Sequence, residues 1–203
     1  MEIGYVIAAE EQDPLDLVGY ARRAEEAGFA YLSVTDHYHP WVRAQPQSSF
    51  VWSLLGAIAS ATSVVRVGTG VTCPLVRIHP AVIAQAAATT ARLFRGRFFF
   101  GIGTGENLNE HILGDRWPPV DVRLEMLREA VEIIRNLWSG RLINHHGRHY
   151  TVENAQLFTL PDEPPPIVMS ALGPKAAGVA ARVGEGYWST GPRVGEDGMP
   201  CPG

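Results

Sequence analysis

The sequence predicts an α/β fold of the TIM (β/α)8 barrel type, with about six of the eight strands present. Short apolar runs typical of buried strands alternate with longer segments of helical periodicity, and this alternation favours a parallel sheet. Polar motifs directly follow two of the strands, and barrel enzymes place their chemistry at the carboxyl ends of strands. Because closure needs eight strands, the barrel is expected to be incomplete at its C-terminal end.

The six strands are predicted over residues 3–8, 31–36, 65–72, 97–103, 166–171 and 186–190. Five helices are predicted over residues 14–27, 50–61, 79–94, 120–138 and 174–183. The first helix carries a full set of boundary signals, with Asp13 as its cap, Pro14 at its first position and Gly28 as its stop. In the fourth helix, apolar residues recur at the spacing of one buried face.

Two segments interrupt or end this alternation. Residues 141–160 contain two β-like runs and then a Pro-rich return, so a hairpin insertion is predicted there. Residues 191–203 are rich in Gly and Pro without helical periodicity, so a disordered tail is predicted. We therefore expect one barrel domain over residues 1–190 that carries the hairpin as an insertion.

Composition and net charge indicate which kinds of binding partner to expect. The chain has 203 residues and a formal net charge of −4, which gives no electrostatic basis for nucleic-acid binding. No apolar run is long enough to span a bilayer, so no membrane partner is expected. The two cysteines, Cys73 and Cys201, form neither a metal-ligand spacing nor a disulfide framework. These features predict a cytoplasmic protein that acts on a small-molecule substrate.

The first polar motif runs from Asp36 to Trp41, after the second strand. His37 can transfer a proton near neutral pH, and Asp36 can orient a ring or bind a polar edge of a cofactor. Trp41 can exclude water from the reacting groups. The alternative is a polar loop with a tryptophan at its rim.

The second polar motif, Gly103-Thr104-Gly105-Glu106, follows the fourth strand. Its small residues let the backbone approach a ligand, and Glu106 can exchange a proton. It is not a dinucleotide fingerprint, because Glu106 stands where the third glycine would be needed. The alternative is a tight turn with a solvated glutamate.

The histidines of the predicted hairpin, His145, His146 and His149, are not interpreted as metal ligands. Gly147 interrupts any helix that would bring them onto one face, so a solvated turn is favoured and no metal site is predicted.

Several segments in the same order resemble the deazaflavin-dependent glucose-6-phosphate dehydrogenase family of the luciferase-like oxidoreductases. They cover residues 36–41, 68–74, 79–85, 103–110, 127–131, 137–140 and 170–174, and the resemblance extends from Met1 to about Arg193. It implies a luciferase-like barrel that binds coenzyme F-420, an 8-hydroxy-5-deazaflavin. It also implies hydride transfer between this coenzyme and a carbinol substrate such as glucose 6-phosphate. The full-length family suggests a homodimer.

The resemblance implies roles for individual residues. His37 would be the acid/base at the substrate carbon, Glu106 the carboxylate that handles the proton on the cofactor side, and Trp41 the aromatic that stabilises the reacting pair. The implied deazaflavin contacts are Asp36, Gly70, Val71, Cys73, Thr104, Gly105, Asn109, Leu172, Gly173, Lys175 and Ala176. A non-prolyl cis peptide bond is implied between Gly70 and Val71. Thr190 and Arg193 align with sugar-phosphate contacts.

The chain departs from the sugar-phosphate enzymes at two of these positions, and two other functions stay open. Cys73 replaces a hydroxyl residue and Arg193 replaces a lysine. One alternative is an FMN-dependent luciferase-like monooxygenase, and the other is an inactive truncated family member. Asp36, His37 and Glu106 favour the deazaflavin function, because flavin relatives need no paired acid and base at these positions.

Overall fold

The computed structural model describes residues 2–189, which form a parallel sheet covered on its outer side by helices. The six strands are β1 (Gly4–Ile7), β2 (Tyr31–Val34), β3 (Arg66–Thr69), β4 (Phe98–Ile102), β7 (Ile167–Ser170) and β8 (Gly186–Trp188). They lie in the order β1-β2-β3-β4-β7-β8, and each neighbouring pair is parallel. The predicted six-stranded parallel sheet is confirmed, although each strand is shorter than its apolar run. The predicted tail lies outside the described residues.

Six helices pack along the described chain. They are α1 (Pro14–Glu26), α2 (Val51–Ala61), α3 (Pro80–Phe94), α4 (Asn107–Glu110), α5 (Val120–Trp138) and α6 (Pro174–Val183). The five predicted helices are present to within one residue at each end. Helix α4 and the 3-10 turn His111–Leu113 were not predicted, because elements of three or four residues show no periodicity.

Local signals explain where the helices begin. The Asp13 carboxylate accepts a hydrogen bond of 2.9 Å from the Leu15 amide, which caps α1 as the sequence predicts. His79 does the same for α3, since its Nδ1 accepts from the Ala81 amide at 3.1 Å. The side chain of Trp138 then joins α5 to α3 by donating to the Ala84 carbonyl at 3.0 Å.

The core lies between the outer side of the sheet and the helices. Its largest fully buried side chains include Ile7, Leu32, Phe100 and Ile102 from the strands, and Ile58, Ile83, Phe94, Leu127 and Ile134 from the helices. The opposite side of the sheet, which we call the inner face, borders an open cavity of about 600 Å³. Side chains lining that cavity include Val6, Tyr31, Phe99, Val168 and Trp188. The hydrophobic core is therefore one-sided within the described residues.

The predicted hairpin is present as β5 (Ile143–His146) paired antiparallel with β6 (Thr151–Ala155). The turn His146-Gly147-Arg148 at its tip is exposed, as the sequence predicted, whereas the residues on either side of it contact α5. Glu129 of α5 accepts hydrogen bonds from the amides of His149 and Tyr150, at 3.1 and 2.8 Å, and contacts the His145 ring at 3.2 Å. The Tyr150 hydroxyl donates to the Leu75 carbonyl at 2.9 Å, so the insertion is anchored to the barrel. Residues 2–189 contain no cluster of three metal-ligating side chains.

None of the helices between residues 2 and 189 combines the length and apolarity that crossing a membrane requires.

Candidate active site

The loops that follow β1 to β4 meet at one edge of the sheet, which we call the carboxyl edge. They comprise residues 8–13, 35–50, 70–79 and 103–119. Because parallel strands all point the same way, their carboxyl ends lie at the same edge, and the loop after β7 ends there too. The predicted site residues within the described chain therefore gather at this edge, from Asp36 in the first motif to Ala176 at the start of α6.

His37 is in close contact with a carboxylate that follows β1. Its Nδ1 lies 2.5 Å from Oε1 of Glu10, and the two side chains are only 15% and 2% exposed. The other oxygen of Glu10 accepts a hydrogen bond of 3.0 Å from the Thr35 hydroxyl. Burial alone would raise the pKa of Glu10, but His37 and Thr35 outweigh it and hold this pKa below its ordinary value. Glu10 is therefore an ionised partner for one nitrogen of the His37 ring at neutral pH.

Trp41 forms a wall beside this pair. Its ring meets the His37 ring edge to face, with centroids 4.9 Å apart, while about half of its surface stays exposed. The Ser48 hydroxyl donates to the His37 carbonyl at 2.8 Å and holds the loop in place. His37 and Trp41 are thus placed together, as the first motif predicted.

Beneath His37 lies a buried charge cluster formed by Asp36, Arg77 and Glu110. Asp36 accepts hydrogen bonds from Arg77 Nη2 at 2.9 Å and from the Thr72 hydroxyl at 2.8 Å, so both of its oxygens have protein partners. Glu110 accepts from the Arg77 amide at 3.0 Å, and its other oxygen lies 3.5 Å from Arg77 Nε. The two carboxylates and the guanidinium are between 1% and 6% exposed at their side chains.

Burial and charge act differently on the members of this cluster. Burial raises the pKa of Glu110, and the nearby Asp36 adds to that rise more weakly than Arg77 opposes it. Burial would lower the pKa of Arg77, but Asp36 and Glu110 together raise it above its ordinary value. The guanidinium is therefore a permanent charge that holds two buried carboxylates.

Asn109 joins the two polar motifs. Its side-chain oxygen accepts hydrogen bonds from the amides of Tyr38 and His39, at 2.9 and 3.1 Å, although Asn109 belongs to α4. The His39 ring in turn contacts the Leu108 carbonyl at 3.0 Å. The loop after β2 and the helix after β4 are therefore bonded directly to each other.

The glycines of the second motif pack against the loop after β3. A Cβ on Gly105, whose φ is +69°, would lie 2.4 Å from Sγ of Cys73, and one on Gly103 would lie 2.7 Å from the Val71 side chain. The peptide bond between Gly70 and Val71 is cis, as the resemblance implied. The space at these two glycines is filled by protein, so they are required for packing within the site.

The remaining predicted residues lie at the rim or beyond the described chain. Glu106 is exposed and caps the start of α4 without a side-chain hydrogen bond to it. Leu172 is 57% exposed after β7, and Lys175 forms an exposed ion pair of 2.8 Å with Asp121. Thr104 and Ala176 are half-buried, and Gly173 directly precedes α6. Thr190 and Arg193 lie outside the described residues.

A family model described as luciferase-like monooxygenase matches residues 1–199. The chain belongs to this family.

Relatives of this luciferase-like chain are longer than it is. It is 42% identical over 185 residues to an F420-dependent hydroxymycolic acid dehydrogenase of Mycobacterium tuberculosis, covering 91% of the chain and 51% of that protein. It is 40% identical over 191 residues to an F420-dependent glucose-6-phosphate dehydrogenase of Segniliparus rotundus, covering 94% of the chain and 57% of that protein. The chain thus spans about half the length of the curated relatives it matches.

A solved structure confirms the luciferase-like barrel. An F420-dependent secondary alcohol dehydrogenase, in complex with an F420–acetone adduct, is similar to the chain with a TM-score of 0.89 and 38% sequence identity. The match covers 93% of this chain and 57% of that structure. The predicted family and fold are therefore confirmed.

Sequence reasoning missed four residues of this luciferase-like site: Glu10, Thr72, Arg77 and Glu110. Glu10 follows the first strand just as Asp36 follows the second, so the rule that placed chemistry at strand ends could have found it. Arg77 carries no such signal, since it lies in the loop after β3 with no regular spacing to its partners. Its position is set by tertiary contacts alone.

The residues at this edge suit a deazaflavin. The half-exposed Trp41 offers an apolar aromatic surface to a planar ring system. Helix α6 has no capping side chain at Gly173, so the amides of its first turn are available to an anionic group. Lys175, whose ion pair is solvent-exposed, adds positive charge at the same helix end.

Proposed function

We propose that this chain supplies the acid–base and cofactor-binding half of a deazaflavin-dependent dehydrogenase that acts on a CH–OH group. The observation that carries the proposal is the contact of 2.5 Å between His37 and the buried carboxylate of Glu10, beside Trp41. The relatives at 38% to 42% identity are F420-dependent dehydrogenases of a hydroxymycolic acid, a sugar phosphate and a secondary alcohol. A substrate carbinol is common to all three.

Oxidation of a carbinol removes a hydride from carbon and a proton from oxygen. Bound deazaflavin supplies the hydride acceptor. His37 receives the hydroxyl proton: its Nδ1 contacts Glu10, which leaves Nε2 as the nitrogen that faces a substrate. The ionised Glu10 stabilises the imidazolium that forms, and Trp41 limits the access of water to it.

Other residues hold the two reactants in place. Glu106, at the start of α4, exchanges the proton on the cofactor side. The amides of Lys175 and Ala176 and the Lys175 ammonium bind the anionic part of the deazaflavin. For a sugar-phosphate substrate, Thr190 and Arg193 would bind the phosphate. Asp36 acts on the cofactor site mainly by holding its loop, because both of its oxygens already accept hydrogen bonds from Arg77 and Thr72.

The second candidate is an FMN-dependent luciferase-like monooxygenase, and the family description itself favours it. Oxygen activation by a flavin needs no imidazole–carboxylate pair at a substrate carbinol. The pairing of His37 with Glu10 therefore favours the dehydrogenase, and so do the F420-dependent dehydrogenases among the relatives, at 38% and 42% identity.

Direct binding tests the choice of cofactor. The purified chain is titrated into coenzyme F420 and, separately, into FMN, and the fluorescence of each cofactor is followed. We expect saturable binding of the deazaflavin and weaker binding of FMN. Saturable binding of FMN alone would support the monooxygenase, and binding of neither would support an inactive family member.

Turnover tests the assigned roles, with glucose 6-phosphate and propan-2-ol as alternative substrates. We expect His37→Ala and Glu106→Gln to lower turnover by about 10²- to 10⁴-fold, the range for general acid–base groups, with little change in deazaflavin affinity. His146→Ala is the matched control, because His146 is exposed on the hairpin. A loss of affinity with intact turnover at saturation would contradict these roles.

We propose that the protein forms a homodimer through the outer side of α2 and α3. Helix α2 contains no charged residue, and α3 contains only Arg92. Their exposed positions include the small Ala57 and the apolar Val82, together with the uncharged Gln85. A surface with one charged residue and several small or apolar ones is complementary to a second copy of itself, since two helix pairs can approach each other with little repulsion.

Light scattering tests the dimer. We expect Ala57→Glu to shift the mass from that of two chains to that of one, because two carboxylates would be buried at a symmetric contact. Leu142→Glu, at an exposed hairpin position, should leave the mass unchanged. A chain that is already monomeric at micromolar concentration would contradict the proposal.

The cellular compartment we propose is the cytoplasm. Among residues 2–189 the one cysteine, Cys73, is a free thiol, and burial raises its pKa well above the ordinary value. A buried, protonated thiol with no disulfide partner suits a reducing compartment. Cell fractionation with an antibody to the chain would check this.

A further inference from the structure

Arg77 lies between two loops of the carboxyl edge and contacts a carboxylate on each. On one side its Nη2 donates to Asp36 at 2.9 Å. On the other side its amide donates to Glu110 at 3.0 Å, and its Nε lies 3.5 Å from the same carboxylate. The Arg77 side chain is 6% exposed, so water contributes little to satisfying either carboxylate.

Each of these carboxylates is adjacent to a group with a proposed chemical role. Asp36 directly precedes His37 in the sequence. Glu110 is the last residue of α4, the helix that begins after Glu106. The bridge through Arg77 therefore spans the two segments on which the proposed proton-transfer groups are carried.

We propose that Arg77 is a positioning residue, which fixes the loop bearing His37 relative to the helix that starts at Glu106. The proposal rests on the proposed function for the roles of those two residues. A guanidinium suits this task because it offers several donors in a fixed plane, whereas a lysine ammonium is a point charge on a flexible stem. Without a cation, Asp36 would keep its hydrogen bond from Thr72 and Glu110 its bond from the backbone amide of residue 77, but neither buried negative charge would have a counter-charge, and the loops would move apart.

Amide exchange reports this positioning without any cofactor. The Tyr38 and His39 amides both donate to Asn109, so their protection measures how firmly the loop after β2 is held to α4. We expect Arg77→Met to speed exchange of these two amides by roughly tenfold, equivalent to about 1.4 kcal/mol, and Arg77→Lys to fall between Met and the wild type.

Arg97→Met is the matched control. Arg97 is also half-buried and donates to the carbonyls of Val65 and Thr62, at 2.9 and 3.0 Å, but it precedes β4 at the opposite end of the sheet. We expect it to lower the free energy of unfolding while exchange of the Tyr38 and His39 amides stays within roughly twofold of the wild type, since local openings there do not involve its contacts.

Deazaflavin affinity and turnover form the second readout. Arg77→Met should weaken binding by roughly tenfold and lower turnover at saturation further, with partial rescue in Arg77→Lys. The double variant Arg77→Met with Glu110→Gln should bind no more weakly than Arg77→Met alone, because it removes one of the two buried charges left without a counter-charge. If Arg77→Met does not fold, amide exchange and deazaflavin affinity are compared with the wild type in Arg77→Lys and Glu110→Gln instead.

The two proposals fail in different ways. If the wild type binds no deazaflavin, the proposed function is wrong, and amide exchange alone still decides the role of Arg77. If Arg77 variants leave both exchange and affinity unchanged, or if Arg97→Met changes them equally, Arg77 is an ordinary structural residue.

Discussion

The carboxyl edge and the inner face of the same sheet are built in opposite ways. At the carboxyl edge charged groups are buried and matched, with Asp36 at 4% and Glu110 at 1% exposure. On the inner face apolar groups stand partly open to the cavity, with Val6 at 53% exposure. One region satisfies its own polar groups, and the other leaves apolar surface without a partner among residues 2–189.

This difference shows which part of the barrel is held together by contacts within the described residues alone. The loops after β1 to β4 bond to one another through Glu10, Thr35, Asn109 and Arg77, so their mutual arrangement needs no further strand. The inner face of a barrel, in contrast, is packed by side chains from all around the ring. The proposed acid–base half of the site is therefore preorganised within this chain, while the barrel interior is not.

Two neighbouring residues of β1 offer the largest contrast. Ile7 is 1% exposed and packs in the core, whereas Val6 lines the open cavity. We expect Ile7→Lys to lower the free energy of unfolding by about 4 kcal/mol or more, and Val6→Lys to change it by no more than about 0.5 kcal/mol. Urea denaturation measures both.

Solubility is a second way to compare the core with the inner face of the sheet. Val6→Lys should reduce aggregation of the chain in light scattering, because it places a charge on an exposed apolar face. Equal destabilisation by the two lysine variants would mean that the inner face is covered in solution, for instance by a second copy.

Gly101 tests how tightly the carboxyl end of β4 is packed. A Cβ there would lie 1.8 Å from the Thr69 carbonyl oxygen, a backbone atom that cannot rotate away. We expect Gly101→Ala to cost about 3 kcal/mol of stability, at the upper end for overpacking. Gly19→Ala is the control, since nothing lies within 4 Å of a Cβ at that position of α1. It should stabilise the helix by up to about 1 kcal/mol, and similar losses at both positions would refute the packing argument.

Most of the fold could be predicted because its signals are local. The strands were predicted from short apolar runs, α1 from its capping residues and α5 from its periodic apolar residues. Helix α4 gave no such signal, since its four residues are positioned by contacts such as that of Asn109 with Tyr38. The contacts that anchor the hairpin were not predicted for the same reason, because Glu129, which accepts hydrogen bonds from it, lies on a different element.

The site was predictable where chemistry follows a strand in sequence, and not where it depends on contacts across loops. His37 and Trp41 come together as their spacing suggested. Glu10 also follows a strand, but its pairing with His37, 27 positions away, is covered by no spacing rule. The pairing of Arg77 with Asp36, 41 positions away, is not covered by one either. The role of Glu106 stays a prediction, because its exposed side chain makes no capping contact with α4.

The smallest expected effect concerns the two buried glutamates of the carboxyl edge, Glu10 and Glu110. Their contributions to the free energy of unfolding should change in opposite directions with pH. The pKa of Glu10 is held below its ordinary value, despite burial, by His37 and Thr35. Its contribution to stability is therefore present above the ordinary pKa of a glutamate, and it is lost as the pH falls towards the lowered pKa of Glu10. Burial raises the pKa of Glu110, so its contribution is fully present below the ordinary pKa and is lost as the pH rises through the raised one.

Urea denaturation of Glu10→Gln and Glu110→Gln between pH 3 and pH 7 should show these opposite windows. The stability of the wild type relative to Glu110→Gln should increase as the pH falls from 7 to about 5.5, a range in which a glutamate of ordinary pKa stays mostly ionised. Relative to Glu10→Gln it should stay level over that range and decrease only below it. Changes smaller than about 2 kcal/mol are expected in both cases. Curves of the same sign for the two variants would show that Arg77 and His37 do not distinguish these carboxylates as their contacts indicate.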